Sequence, residues 1–195
     1  MSLPQSSTQL HRTWRTWQGN AGTLEAEQAV EWTQGTRPVI AGMPALMTAL
    51  HFAAVNRFTA GLVESQTVPA GIVCRAFGRV PILGFSDLPV ETADEKVVCR
   101  WNITGGVFAR RPSTTHASGL LTLGISWTAP GSDAAKATRC RAWARVEEFP
   151  SRFLSARERS LLPWRAIGTV YRTFHAHVVF AYLASLASTL AARRA

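Results

Sequence analysis

The chain is poor in lysine: Lys96 and Lys136 are the only two among 21 basic residues, the rest being arginine. It is also poor in cysteine. Cys74, Cys99 and Cys140 are odd in number, form no CxxC pair and sit inside apolar or alternating segments. That pattern argues against a disulfide framework or a zinc site and suits buried thiols in a reducing compartment, so a cytoplasmic location is expected. No GxSxG, glycine-rich phosphate loop, HExxH or dinucleotide fingerprint occurs, which removes the motif-borne hydrolases, nucleotide enzymes and metalloproteases. No cofactor and no metal are expected. The first eight residues, MSLPQSST, lack a basic segment followed by an apolar run. They are read as disordered and not as a secretory leader. The one long uncharged stretch, Val178 to Ala192, has 15 residues, short of the roughly 20 that span a bilayer.

What is present is a globular composition. Hydrophobic residues make up 47% of 195, with seven tryptophans, which excludes a disordered chain. No internal repeat or long linker appears, so residues 1–195 are read as one domain. The net charge of +9 favours polyanions, acidic partners or anionic lipid surfaces.

Hydrophobic periodicity divides the chain. Residues 9–17 alternate loosely and read as a strand, while 23–32 suit either a short helix or the return arm of a hairpin. Gly42-Met43-Pro44 opens a helix over about 44–61, because proline is tolerated where the first N–H groups are unpaired anyway. Its apolar positions are Leu46, Met47, Leu50, Ala54 and Phe58. From 70 to 149 the period becomes two, with strands at 71–77, 79–85, 96–103, 119–127 and 137–149. Pro81 argues for an edge or a bend, and Gly105-Gly106 for a turn or bulge. Short turns imply antiparallel pairing. From about Trp164 to Arg194 a long helix follows, striped by Ile167, Tyr171, Phe174, Val178, Tyr182 and Leu186. The fold class is therefore α+β: a curved antiparallel sheet of six to seven strands wrapped on a long C-terminal helix. A β-barrel with flanking helices is the alternative.

Two strands bear on a pocket. In 137–149, Cys140, Ala142, Ala144 and Val146 share a face of small residues; in 96–103, Val97, Cys99, Trp101 and Ile103 form a bulky one. Together they suit a cavity with an aromatic wall, and equally an ordinary tight core. His175 and His177 lie about 200° apart around the terminal helix and so cannot face one ligand. His175, with Tyr171 or Tyr182, is the candidate for acid–base chemistry. Trp101, His177, Phe174 and Glu148 are candidates to line the substrate, Glu148 because it shares parity with Val146. A buried arginine partner for Glu148 and structural roles for the histidines and tyrosines are the plainer readings. His116 lies in a Ser/Thr-rich loop. The segment 11–17, HRTWRTW, and the ladder Arg139, Arg141, Arg145 would suit nucleic acid or an anionic membrane. A solvated outer face explains them equally.

The element order, strand, helix, a run of antiparallel strands and a long final helix, resembles the helix-grip fold of the START/Bet v 1-like superfamily, which includes polyketide cyclases. The resemblance spans nearly the whole chain and rests on element order alone; the N-terminal forty residues are longer than the single first strand of that pattern. It implies a hydrophobic small-molecule ligand held between sheet and terminal helix. It also implies a cyclase, dehydratase or isomerase acting on a polyketide-like intermediate, or else a non-enzymatic lipid or metabolite carrier. A homodimer is compatible with either.

Overall fold

The structure, a computed structural model, describes residues 10–18, 24–107, 109, 119–128, 137–149 and 162–192. His116 lies outside them. The elements run β1 (His11–Gln18), β2 (Leu24–Gln34), α1 (Met43–Phe58), β3 (Val63–Val68), β4 (Gly71–Ala76), β5 (Val80–Asp87), β6 (Glu91–Ala93), β7 (Lys96–Gly105), β8 (Leu120–Thr128), β9 (Thr138–Phe149) and α2 (Leu162–Ala192). The protein is α+β. Among the described residues one open antiparallel sheet of nine strands has the order β1-β2-β9-β8-β7-β5-β4-β3, with β6 attached to β7.

The ambiguous segment after β1 is a strand. β2 pairs with β1 on one side, from His11↔Glu31 to Gln18↔Leu24, and with β9 on the other. Two strands were not expected from the sequence. β3 reads VESQTV, is exposed along most of its length and forms the far edge of the sheet; polar edge strands carry no apolar alternation to read. β6 has three residues. β5 is internal, so Pro81 marks a bend and not an edge. The β4–β5 register skips between Cys74↔Leu83 and Arg75↔Pro81. Gly106 permits a close approach there: a Cβ on it would lie 2.3 Å from the Ile82 carbonyl oxygen.

Both helices lie against the sheet. α1 packs on α2, β3 and β7, and α2 packs on β2 and β9. The inward-facing side chains of β2, β7, β8 and β9, including Val30, Trp101, Leu123, Ile125 and Ala142, share one core with Val179, Leu183 and Leu186 of α2. Each such aliphatic side chain contributes about 1.5–3 kcal/mol of burial free energy. The small face of β9 is fully covered: Cys140, Ala142 and Ala144 are buried in that core. Small side chains there allow close contact between α2 and the strand. By length and composition His175–Ala192 could cross a membrane, but 44% of it is buried within the protein.

The outer face is polar. The arginine ladder of β9 faces the acidic row of β2: Arg141 pairs with Glu27 at 3.2 Å and with Glu31 at 3.9 Å. Charge on this face is thus largely balanced by its own neighbours, which weakens its case as a polyanion site. Beside the ladder, Trp143 stands opposite Gly124 of β8. A Cβ on Gly124 would fall 2.1 Å from the indole, so the ring rests where any other residue would put a side chain.

Gly124→Ala should therefore lower unfolding stability by about 1–2 kcal/mol. In a Trp143→Ala background the same change should cost much less, because the clash has been removed. Equal losses in both backgrounds by urea denaturation would contradict the packing described.

Candidate ligand site beneath the first helix

α1 turns Met43, Met47, His51 and Ala54 into the core, with Phe52 also buried. The steps of four place Met43, Met47 and His51 on one stripe of the helix. This face is rotated from the one expected: Leu46 and Leu50 are only half-buried, and Phe58 is 45% exposed. His51 occupies a position that an aliphatic residue would normally fill.

On α2, His175 and Tyr182 are seven residues apart and so share a face. Tyr182 is fully buried, and its ring meets His51 edge-on at a centroid distance of 5.3 Å and an angle of 84°. Phe52 is set edge-on to His51 at 5.2 Å and to Phe85 of β5 at 5.6 Å. His175 lies close enough for its charge to act on His51, and Cys99 of β7 acts on Tyr182 in the same way. α1, α2 and the sheet therefore converge on one cluster: His51, His175, Tyr182, Phe52, Phe85 and Cys99.

Burial sets the protonation states. Loss of water lowers the His51 pKa from 6.5 to about 3, with His175 opposing a second charge. His175 is half-buried at the margin of the cluster, and desolvation lowers it to about 4. Burial pushes the Tyr182 phenol well above its ordinary value, and the neighbouring Cys99 adds to this. The thiols of Cys74, Cys99 and Cys140 rise to about 11 through burial, so none is a thiolate at neutral pH. The cluster is thus uncharged at pH 7. Among the described residues, no protein group hydrogen-bonds His51 Nδ1 or the Tyr182 hydroxyl. Unpaired polar atoms in an apolar interior cost about 1–3 kcal/mol each.

Phe52 also forms a wall of a surface groove. The groove, of about 760 Å³, runs between α1 and β3 and is lined by Thr48, Ala49, Phe52, Asn56, Ser65 and Ile72 among others. Phe52 thus lines the groove and also meets His51 edge-on.

The remaining expected residues fall as follows. Trp101 is buried on the inner face of β7, two residues from Cys99 on the same side. Tyr171 and Phe174 lie within α2, but their side chains fall outside the described residues. His177 points away: it is exposed, its ring stands 5.7 Å from Phe58, and its Nδ1 is 2.7 Å from the Thr173 carbonyl oxygen. Glu148 requires a correction. The β2–β9 register skips between Ala26↔Val146 and Leu24↔Phe149, and Glu148 takes φ 48° within that bulge. The extra residue breaks the alternation, so Glu148 is exposed and Phe149 is buried in its stead. His51 was missed because a histidine inside an apolar helix looks like an interruption; its spacing of four from Met47 was the available signal. Among the described residues no group of three His, Cys, Asp or Glu side chains could hold a metal ion. No family model matches the chain, and no curated protein matches it significantly.

The two histidines make acid stability a test of this geometry. A neutral buried histidine has a folded pKa below its unfolded value, so its contribution is complete above about 6.5 and is lost as pH falls towards the folded pKa. Stability should fall between pH 6.5 and about 4 by about 1.4 kcal/mol per pH unit for each histidine. His51→Phe should roughly halve that slope in urea titrations across the range. An unchanged slope would place His51 outside the interior.

Proposed function

We propose that the protein binds a hydrophobic small molecule with one or two polar groups, held between the sheet and the two helices at the His51–Tyr182–His175 cluster. The observation that carries this reading is that two polar atoms no described protein group satisfies, His51 Nδ1 and the Tyr182 hydroxyl, belong to side chains whose rings meet edge-on; the other unpaired core atom, Trp127 Nε1, belongs to β8 and has no such companion. A ligand carbonyl or hydroxyl would supply the missing hydrogen bonds, and apolar walls with few polar groups are the usual chemistry of such sites. The groove between α1 and β3 offers an approach, with Phe52 as the side chain that must turn.

The sheet order supports the helix-grip resemblance. The early strand β2 lies beside the last strand β9, the strands between α1 and α2 follow in sequence across the sheet, and both helices lie on one face. β1 and β6 are then additions to a seven-stranded plan. A START/Bet v 1-like fold would place its ligand at this level of the interior.

Within this reading, binding is favoured over acid–base catalysis. Histidines with pKa values near 3 and 4 are weak bases and are not protonated at neutral pH, whereas efficient general acids and bases titrate near the operating pH. A carrier of a lipid or metabolite therefore fits better than a cyclase or dehydratase. An enzymatic role would require the ligand to raise the His175 pKa.

Tyr182→Phe distinguishes a ligand-binding hydroxyl from a structural one. Without ligand, the variant should be about as stable as the parent or more so by about 1 kcal/mol, since it loses an unsatisfied buried group. Native mass spectrometry of the parent, purified from a host that makes the ligand, should show a stoichiometric apolar adduct that the variant retains poorly. A large loss of stability in the variant, or no adduct on the parent, would overturn the assignment.

A further inference from the structure

We infer that the end of the molecule formed by the α1–β3 connection and the β4–β5 turn docks on an anionic lipid bilayer. Four large apolar side chains are exposed there: Phe58 45%, Leu62 53%, Phe77 72% and Val80 45%. Leu62, Phe77 and Val80 converge although their positions in the chain differ, and Phe58, whose ring stands 5.7 Å from that of His177, lies four residues before Leu62. The Phe77 N–H donates to the Leu62 carbonyl at 2.9 Å. Val63 pairs with Ala76, and Ala76 pairs with Val80. Phe58 closes the last turn of α1, one residue before the Thr59 cap.

Phe77 is the residue that the fold explains least. It stands at the first central position of a turn closed by the Arg79 N–H donating to the Ala76 carbonyl at 3.0 Å. Phe77 and Gly78 have φ 52° and 66°. Positive φ at both central positions makes this a type I′ turn, where asparagine or aspartate followed by glycine is preferred. An aromatic residue here strains the backbone and gains almost no burial in return. Its location is explained if the ring is buried in something else.

Charge complementarity identifies that partner. From residue 57 to residue 80 the chain carries Arg57, Arg75 and Arg79 against a single acid, Glu64. Arg57 and Arg79 are exposed, and Arg75 leans on the turn by donating Nη1 to the Arg79 carbonyl at 3.2 Å. Exposed apolar side chains with three arginines against one carboxylate, that of Glu64, which stands across from Arg75 and reaches the turn beside Gly78, leave a net positive apolar surface suited to the boundary between headgroups and acyl chains, where apolar burial and attraction to anionic lipid add. The docking is independent of any ligand in the core, although the α1–β3 groove reaches the same end through Asn56 and Glu64.

Flotation of the full chain with vesicles of phosphatidylcholine, with and without phosphatidylserine, tests this. Binding should appear with phosphatidylserine and fall with added salt. Phe77→Asn should keep or raise the thermal midpoint, because asparagine suits the left-handed turn, and should weaken vesicle binding at least about tenfold. Leu62→Ser should weaken it in the same sense, and Arg57→Gln by about fivefold. The inference fails if the parent ignores phosphatidylserine vesicles or if Phe77→Asn binds them as well as the parent. It fails also if ultracentrifugation finds a dimer that Phe77→Asn dissolves, which would assign the patch to a second copy of the chain.

Discussion

The pairing of β2 with β9 is the constraint on which the rest depends. It joins segments far apart in the chain; the Arg141–Glu27 ion pair within it links residues 114 positions apart. With β2 in place, Val30 and Trp32 extend the inner face alongside Ala142 and Cys140, and α2 has a broad apolar surface to lie on. Such a long loop costs entropy that only extensive contact can offset. The pairing provides it through ten registered positions, cross-strand charge pairs outside and apolar burial inside. α2 in turn carries His175 and Tyr182 to α1, so a contact between the sheet's first and last long strands sets the cluster's geometry.

The cluster runs against the economy of a core. A leucine at His51, or a phenylalanine at Tyr182, would remove these two unsatisfied polar atoms. The neutral state forced on both histidines is the same cost seen through protonation. Sites that bind polar groups in apolar surroundings accept such costs, since the ligand supplies the missing bonds. Phe77 shows the same logic at the surface: its backbone conformation and its exposure are each unfavourable within the chain alone.

Much of the architecture was legible in the sequence. Period-two alternation located β4, β5, β7, β8 and β9, and proline with helical spacing located α1; both patterns record burial directly. β3 was invisible because an edge strand with both faces wet carries no such record. β2 was ambiguous because its alternation of glutamate with alanine and valine also fits a short helix. Strict alternation points Glu148 inward because it cannot anticipate a bulge, which depends on the partner strand. That His175 and Tyr182 share a face of α2 was readable from their spacing of seven. Their meeting with His51 was not, since it depends on how two helices cross.

Nitrogen-15 NMR of the imidazole rings reads the protonation of the buried cluster and its response to ligand. His51 and His175 should stay neutral well below pH 6, and an organic extract containing the ligand should shift the His51 resonances while leaving exposed His177 unchanged. Imidazoles that titrate near 6.5 and do not respond to any apolar extract would contradict both expectations.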